Sequence, residues 1–289
     1  MLTSILVSGL GLGSMYGLVA LGFHVTYAVS GTVNFAQGSV VTLGAVLAYA
    51  LGVTLGWPMP AAIVLALAGC ALFGLVVERA LVRPFVVRGS DAWLLATVAG
   101  GIVLDNTVLF TFGKEPRSLP SPLATKPVEI LGTGIYPLQL VIPVVGIGLA
   151  FAIRTVFRRT DLGRVLLAVA QNADAARLMG IDVRRTVACA FALSATLAGI
   201  AGLLIAPLFS VSAELGTLFG IKAFAVAILG GIGSATGVIL AGLLYGLVEA
   251  GVTATLGSTY TQLVVFSVII LALTLRPDGL LGRAAVNKV

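Results

Sequence analysis

Apolar runs long enough to cross a lipid bilayer follow one another along almost the whole chain. They cover about 4–30, 39–55, 60–82, 92–112, 137–157, 187–209, 238–256 and 260–275, with a shorter one at 223–237. A helix of ~20 apolar residues spans the hydrocarbon core, and only helices or closed barrels satisfy their backbone groups there. The alternation of a barrel strand, in segments of ~10 residues, is absent. The pattern predicts an all-α polytopic membrane protein with eight to nine transmembrane helices, some short or broken. Residues 1–289 are expected to form a single transmembrane domain.

Interruptions in the apolar runs carry the rest of the information. Gly9, Gly13 and Gly17 are spaced by four, as are Gly242 and Gly246, and small residues at that spacing let helix backbones approach closely. These five are assigned to helix packing. The stretch Ser30 to Gly38 is polar and uncharged between two apolar runs, which suits a loop or a broken helix lining a cavity. In the second case Asn34 and Gln37 offer amides to a polar ligand. Asp105 and Asn106 lie inside an apolar run, where a charge is expensive, so Asp105 belongs near an interface or against the bundle interior. His24, the one histidine, reads as a hydrogen-bonded packing residue. Pro143 is expected to kink its helix. Residues 113–136, with four prolines, are expected to be an extended surface loop.

The longest polar connection, 158–186, holds a short helix. Asp174, Ala175, Ala176, Arg177, Leu178, Met179 and Gly180 make about two turns, with Asn172 as N-cap, Asp174 at the positive dipole end and Gly180 as a left-handed C′ residue. Ala175, Leu178 and Met179 share a face. So short a helix does not persist alone in water and needs a surface on each side: the membrane domain beneath and a separate protein above. Leu178 and Met179 are expected to pack it on the bundle.

Charge then orients the chain. Thirteen of the seventeen Lys and Arg residues fall in 79–91, 154–185 and 276–289, and the remaining four are Lys114, Arg117, Lys126 and Lys222. By the positive-inside rule the first set is cytoplasmic, which with nine crossings puts the N-terminus outside and the C-terminus in the cytoplasm. The loop 113–136 is then periplasmic and 158–186 cytoplasmic. The net charge of +6 is thus a matter of topology and does not imply nucleic acid. Cys70 and Cys189 sit in apolar runs and read as reduced, buried, small hydrophobes.

Enzymatic chemistry finds no support. The single Gly-Lys pair, Gly113-Lys114, is followed by Glu115, so no phosphate-binding loop forms. One histidine and two separated cysteines do not make a zinc site or a hydrolytic triad. No cofactor or metal is expected, and energy for uphill transport must come from an ion gradient or another subunit.

Several segments together resemble the LivH-type permease subunits of branched-chain amino acid ABC transporters: GLVALGFHVTYAVSGTVNFAQGSVVTLG (17–44), Asp174 to Phe191, KAFAVAILGGIGSATGVILAGLLYGLVEA (222–250) and RPDGLLG (276–282). Asp174-Ala175-Ala176 with Gly180 is similar to the E-A-A-x-x-x-G coupling loop of importer permeases, Asp standing where Glu is usual. Gln37 stands where that family more often has His. The resemblance implies that residues 174–180 couple to a cytoplasmic ATPase, that the chain is not itself catalytic, and that it works in the bacterial cytoplasmic (inner) membrane. It also implies as partners a second, LivM-like permease, two cytoplasmic ABC ATPase subunits and a periplasmic substrate-binding protein. A broken-helix cavity near Asn34, Gln37, Asp105 and Asn106 is the expected substrate path. The same resemblance admits amides, urea or aromatic acids as cargo. An ion-coupled transporter using Asp105, Glu249 and His24 is the less favoured reading, and a passive channel for a small polar solute less favoured still.

Overall fold

The computed structural model describes residues 2–130, 133–276 and 279–282. Twelve α-helices account for most of these: α1 (Leu2–Ser30), α2 (Gln37–Tyr49), α3 (Met59–Val76), α4 (Arg83–Val86), α5 (Trp93–Phe112), α6 (Pro137–Arg159), α7 (Asp161–Gln171), α8 (Ala173–Leu178), α9 (Val183–Ile205), α10 (Leu215–Gly230), α11 (Ala235–Leu256) and α12 (Ser258–Leu275). Short π-helical turns extend α2 through Thr54 and join α3 to α4. Seven helices or helix pairs are long and apolar enough to cross a membrane, and α10 and α12 are shorter apolar helices. The protein is all-α and polytopic, as its periodicity predicts.

Two compact units divide the chain. One comprises the chain up to His24, Ser121–Ala150 and the chain from Lys222 onward. In it α1 and α11 cross backbone to backbone. A Cβ added to Gly13 would lie 2.6 Å from Gly242 O, one on Gly242 would lie 2.7 Å from Gly17 Cα, and one on Gly9 would lie 2.9 Å from Leu247 Cα. No side chain fits at that separation, so glycine is required at the contact. Tyr16 and Tyr245 meet edge to face just beside it, 5.2 Å between centroids. His24 Nδ1 lies 2.7 Å from Ile232 O, which fixes the turn between α10 and α11. α6 runs uninterrupted through Pro143.

The other unit comprises Val25–Pro120 and Phe151–Ile221. Its centre is α2, buried at ten positions. Small residues let two helices close on it: a Cβ on Gly44 would lie 2.6 Å from Gly199 Cα of α9, and one on Gly38 would lie 2.6 Å from Gly216 O of α10. By contrast α5 exposes Leu95, Ile102, Val103 and Phe110. At one end, Arg117 pairs with Val211 through backbone hydrogen bonds and stacks its guanidinium 4.6 Å from the Phe112 ring centre.

Several expectations need correction. The short apolar segment placed at 223–237 is instead α10, which starts at Leu215 and ends at Gly230. Gly231 to Ser234 form a turn and α11 begins at Ala235. The glycines at 230, 231 and 233 favour a turn there, and the Ser234 hydroxyl caps α11 by accepting from Gly237 N. Lys222, assigned to a connecting loop, therefore sits inside α10. Cys189 is exposed while Cys70 is buried, because the buried stripe of α9 runs through Thr186, Ala190 and Ser194. The expected irregular loop contains a short antiparallel pair, β1 (Val128–Ile130) with β2 (Thr133–Ile135). Arg283 and Lys288 of the basic tail lie outside the described residues.

Candidate functional site

Two places concentrate the polar residues that the sequence singles out. The first is the break between α1 and α2. Ser30 ends α1 by donating to Thr26 O, and its hydroxyl lies 2.6 Å from Thr32 Oγ1. Asn34 folds back on the chain, its Oδ1 accepting from Ala36 N at 3.1 Å, the local turn that asparagine favours. The segment is buried, with Asn34 and Gln37 fully enclosed. It is thus irregular backbone inside the protein, where protein groups satisfy it in place of water.

Gln37 opens α2 and binds α9: its Nε2 donates to Ser194 O at 2.9 Å and its Oε1 accepts from Ser194 Oγ at 3.1 Å. Asn34 Nδ2 is buried with no partner among the described residues. Asp105, half-buried on α5, accepts from Thr217 Oγ1 at 3.3 Å and has Ser39 of α2 beside it. Thr42, one turn along α2, accepts from Gly216 N at 2.8 Å and so caps the start of α10. Neighbouring helix positions diverge by ~100°, and Asn106 accordingly turns away. It is exposed and donates to Ile102 O of its own helix. Asn34, Gln37 and Asp105 therefore lie along the α1–α2 break and the faces of α2, α5 and α9, while Asn106 does not. Ser39, Thr42, Ser194 and Thr217 join this polar seam. Their sequence signal is slight, since single hydroxyls in apolar runs usually bond their own helix.

The second place is the connection from α6 to α9. Its helices are capped in turn: Thr160 accepts from Gly163 N, Asn172 from Asp174 N and Ala175 N, and Asp182 from Arg185 N. α7 is a separate helix within the expected loop; its Leu166 and Val169 are buried. α8 ends as a Schellman motif. Gly180 takes φ +84°, its N–H donates to Arg177 O, and Ile181 N donates to Ala176 O, both at 3.0 Å. Asp174 and Arg177 pair at 2.8 Å on the exposed side, a contact that adds little stability.

Burial on α8 differs from expectation. Ala176 is only 4% exposed and packs with Val25, Val29, Leu166, Val169, Val183 and Ala190. Leu178 and Met179 are 89% and 83% exposed. The small residue holds α8 on its own chain, and the two large apolar residues point away from it. The Schellman geometry explains this, because its apolar contact joins the third-last helical residue, Ala176, to Ile181 beyond the glycine.

A helical membrane bundle with a buried broken segment and a capped, outward-facing helix in its longest connection has the architecture of a transport permease. The comparisons define it further. The chain matches the branched-chain amino acid transport system / permease component family over residues 5–274 and belongs to that family. It is 34% identical over 297 residues to the high-affinity branched-chain amino acid transport system permease protein LivH of Escherichia coli K12, covering 98% of this chain and 96% of that one. It is also 34% identical over 300 residues to the corresponding protein BraD of Pseudomonas aeruginosa, covering 98% and 97%. Among solved structures, PsaBC from Streptococcus pneumoniae in complex with Fab aligns with a TM-score of 0.51 at 14% identity, covering 94% of this chain and 91% of that one. That likeness is one of fold.

Proposed function

We propose that this chain is the transmembrane permease subunit of an ABC importer for branched-chain or other hydrophobic amino acids, driven by ATP hydrolysis in separate subunits. Family membership and the names of LivH and BraD support the class and the cargo. The observation that carries the coupling is the division of α8: Ala176 is seated on its own chain while Ala175, Leu178 and Met179 form an exposed apolar face. That face is the contact for a cytoplasmic ATPase, and residues 174–180 are the coupling element. A push on α8 reaches α1 and α9 through the cluster around Ala176. The polar seam along α2 is the candidate substrate path, with Asn34, Gln37 and Asp105 beside it.

The rest of the assembly follows. The whole chain acts as one permease domain in the inner membrane, beside a second, LivM-like permease, two ATPases and a periplasmic binding protein. With Lys222 inside α10, three basic residues remain on the sparse side, which strengthens the positive-inside argument for a cytoplasmic 158–186 loop. Nine crossings place the N-terminus outside. The ion-coupled reading is disfavoured because Glu249 is charge-paired with Lys222 and His24 lies against Ile232 O.

The test is ATP-driven uptake of leucine by the complete complex in proteoliposomes. The wild type accumulates leucine in the presence of the binding protein, and Leu178→Glu with Met179→Glu abolishes both accumulation and co-purification of the ATPases. Retention of the ATPases by that double variant would overturn the coupling assignment.

A further inference from the structure

Lys222 lies in the middle of α10 and its charge is held inside the protein. Its Nζ donates to Glu249 Oε1 of α11 at 2.5 Å and to Tyr16 Oη of α1 at 3.3 Å, and it sits 5.6 Å from the centre of the Tyr16 ring. Only 15% of the Lys222 side chain and 9% of the Glu249 side chain are exposed. Tyr16 is also within hydrogen-bonding reach of Glu249, and Tyr245 stacks on Tyr16.

As a brace, this pair is a poor choice. Removing two charges from water costs more than their attraction usually returns, and well-packed apolar residues commonly do as well or better. The pair is also incompletely satisfied. Glu249 Oε2 is buried with no hydrogen-bond partner among the described residues. Lys222 has three N–H donors, of which two have partners among the described residues. The site therefore holds a spare acceptor on an anion beside a spare donor on a cation, with zero net charge.

An α-amino acid head group is the complement of that arrangement. Its carboxylate matches Lys222 and its ammonium matches Glu249, and the charge count is unchanged when it enters. A monocarboxylate or an amine would leave one buried partner uncompensated, which is strongly unfavourable. An amide or urea would leave the ion pair intact and gain little from it. Resting on the amino acid reading above, we propose that Lys222, Glu249 and Tyr16 form a head-group site for zwitterionic α-amino acids, the ion pair opening as substrate enters and re-forming as it leaves.

The test uses the complete transporter in proteoliposomes with leucine-loaded binding protein, reading ATP hydrolysis and leucine uptake separately. Lys222→Met with Glu249→Leu removes both charges and leaves none unpaired. It is expected to assemble and to keep ATPase stimulation by the loaded binding protein, while leucine uptake falls roughly tenfold or more. Lys222→Glu with Glu249→Lys restores both charges, and uptake is expected to recover above that of the apolar pair. Wild-type uptake in the apolar double variant, or no recovery in the swap when it assembles, overturns the head-group site alone. Absence of amino acid uptake by the wild-type transporter overturns the amino acid reading and this site with it.

Discussion

Ala176 and Leu178 are two residues apart on one short helix, and their side chains meet opposite fates: the first is sealed among α1, α7 and α9, the second stands almost wholly free. Substitutions at the two positions should therefore separate folding from assembly. Ala176→Leu forces about three extra carbons into a filled cluster and should destabilise the isolated chain by about 1–3 kcal/mol. It should lower the melting temperature in detergent. Leu178→Glu should leave that temperature unchanged.

Gly180 holds φ +84° at the end of α8, and no atom lies within 4 Å of where a Cβ would be. A change there is a matter of backbone conformation alone. Gly180→Val should cost about 1–2 kcal/mol locally and distort the exit of α8, so that ATP hydrolysis continues without matching uptake. Gly180→Asn, which tolerates the left-handed region, should keep coupling near the wild-type ratio. The ratio of leucine transported to ATP hydrolysed checks both.

Asn172 accepts from two backbone N–H groups at the start of α8. Asn172→Ala should destabilise that turn by about 1 kcal/mol, and Asn172→Asp should preserve it. Hydrogen exchange across 173–178 should quicken in the first variant and not in the second.

Gln37 and Ser194 bind each other in two directions between α2 and α9. Gln37→Leu strands buried polar groups on α9 and should cost about 1–3 kcal/mol. Gln37→Glu leaves an acceptor against the Ser194 carbonyl and should be no better at neutral pH. Thermal stability of the purified chain measures both, and an unshifted transition in Gln37→Leu would remove the structural role given to this bond.

The backbone crossing of α1 and α11 gives a fifth handle. Gly13→Leu drives a side chain into the Gly242 backbone, and the helices must separate. The expected outcome is loss of folded protein, seen as a collapsed monodisperse peak on size-exclusion chromatography. Gly251→Ala, facing open space on α11, should be silent.

Much of this architecture can be read from residue types because membrane helices obey few rules. Run length located the long helices within a few residues, and the Asn172, Asp174 and Gly180 signals marked the ends of α8, since capping is local chemistry. What failed was tertiary. Which residue of α8 faces inward is set by the Schellman end and by the side chains of α1, α7 and α9 that enclose Ala176. Lys222 reads as a loop residue because a charge usually means water, and its partner is 27 positions away on another helix. α10 was displaced because its first half carries polar residues that are satisfied by α2 and α5, as Thr42 and Asp105 illustrate.

The enclosure of α2 has a consequence for how this protein tolerates change. Its span has a mean hydropathy of 1.4, against 2.5 for the span from Met59 to Val86. Of these two the oilier span is also the less buried, 28% against 56%, so its free face is fitted to acyl chains, whereas the enclosed one is fitted to thinness. Genetic drift should accordingly be free to shuffle Leu, Val and Ile along the outer helix, and should stall on the inner one at the first added methyl group.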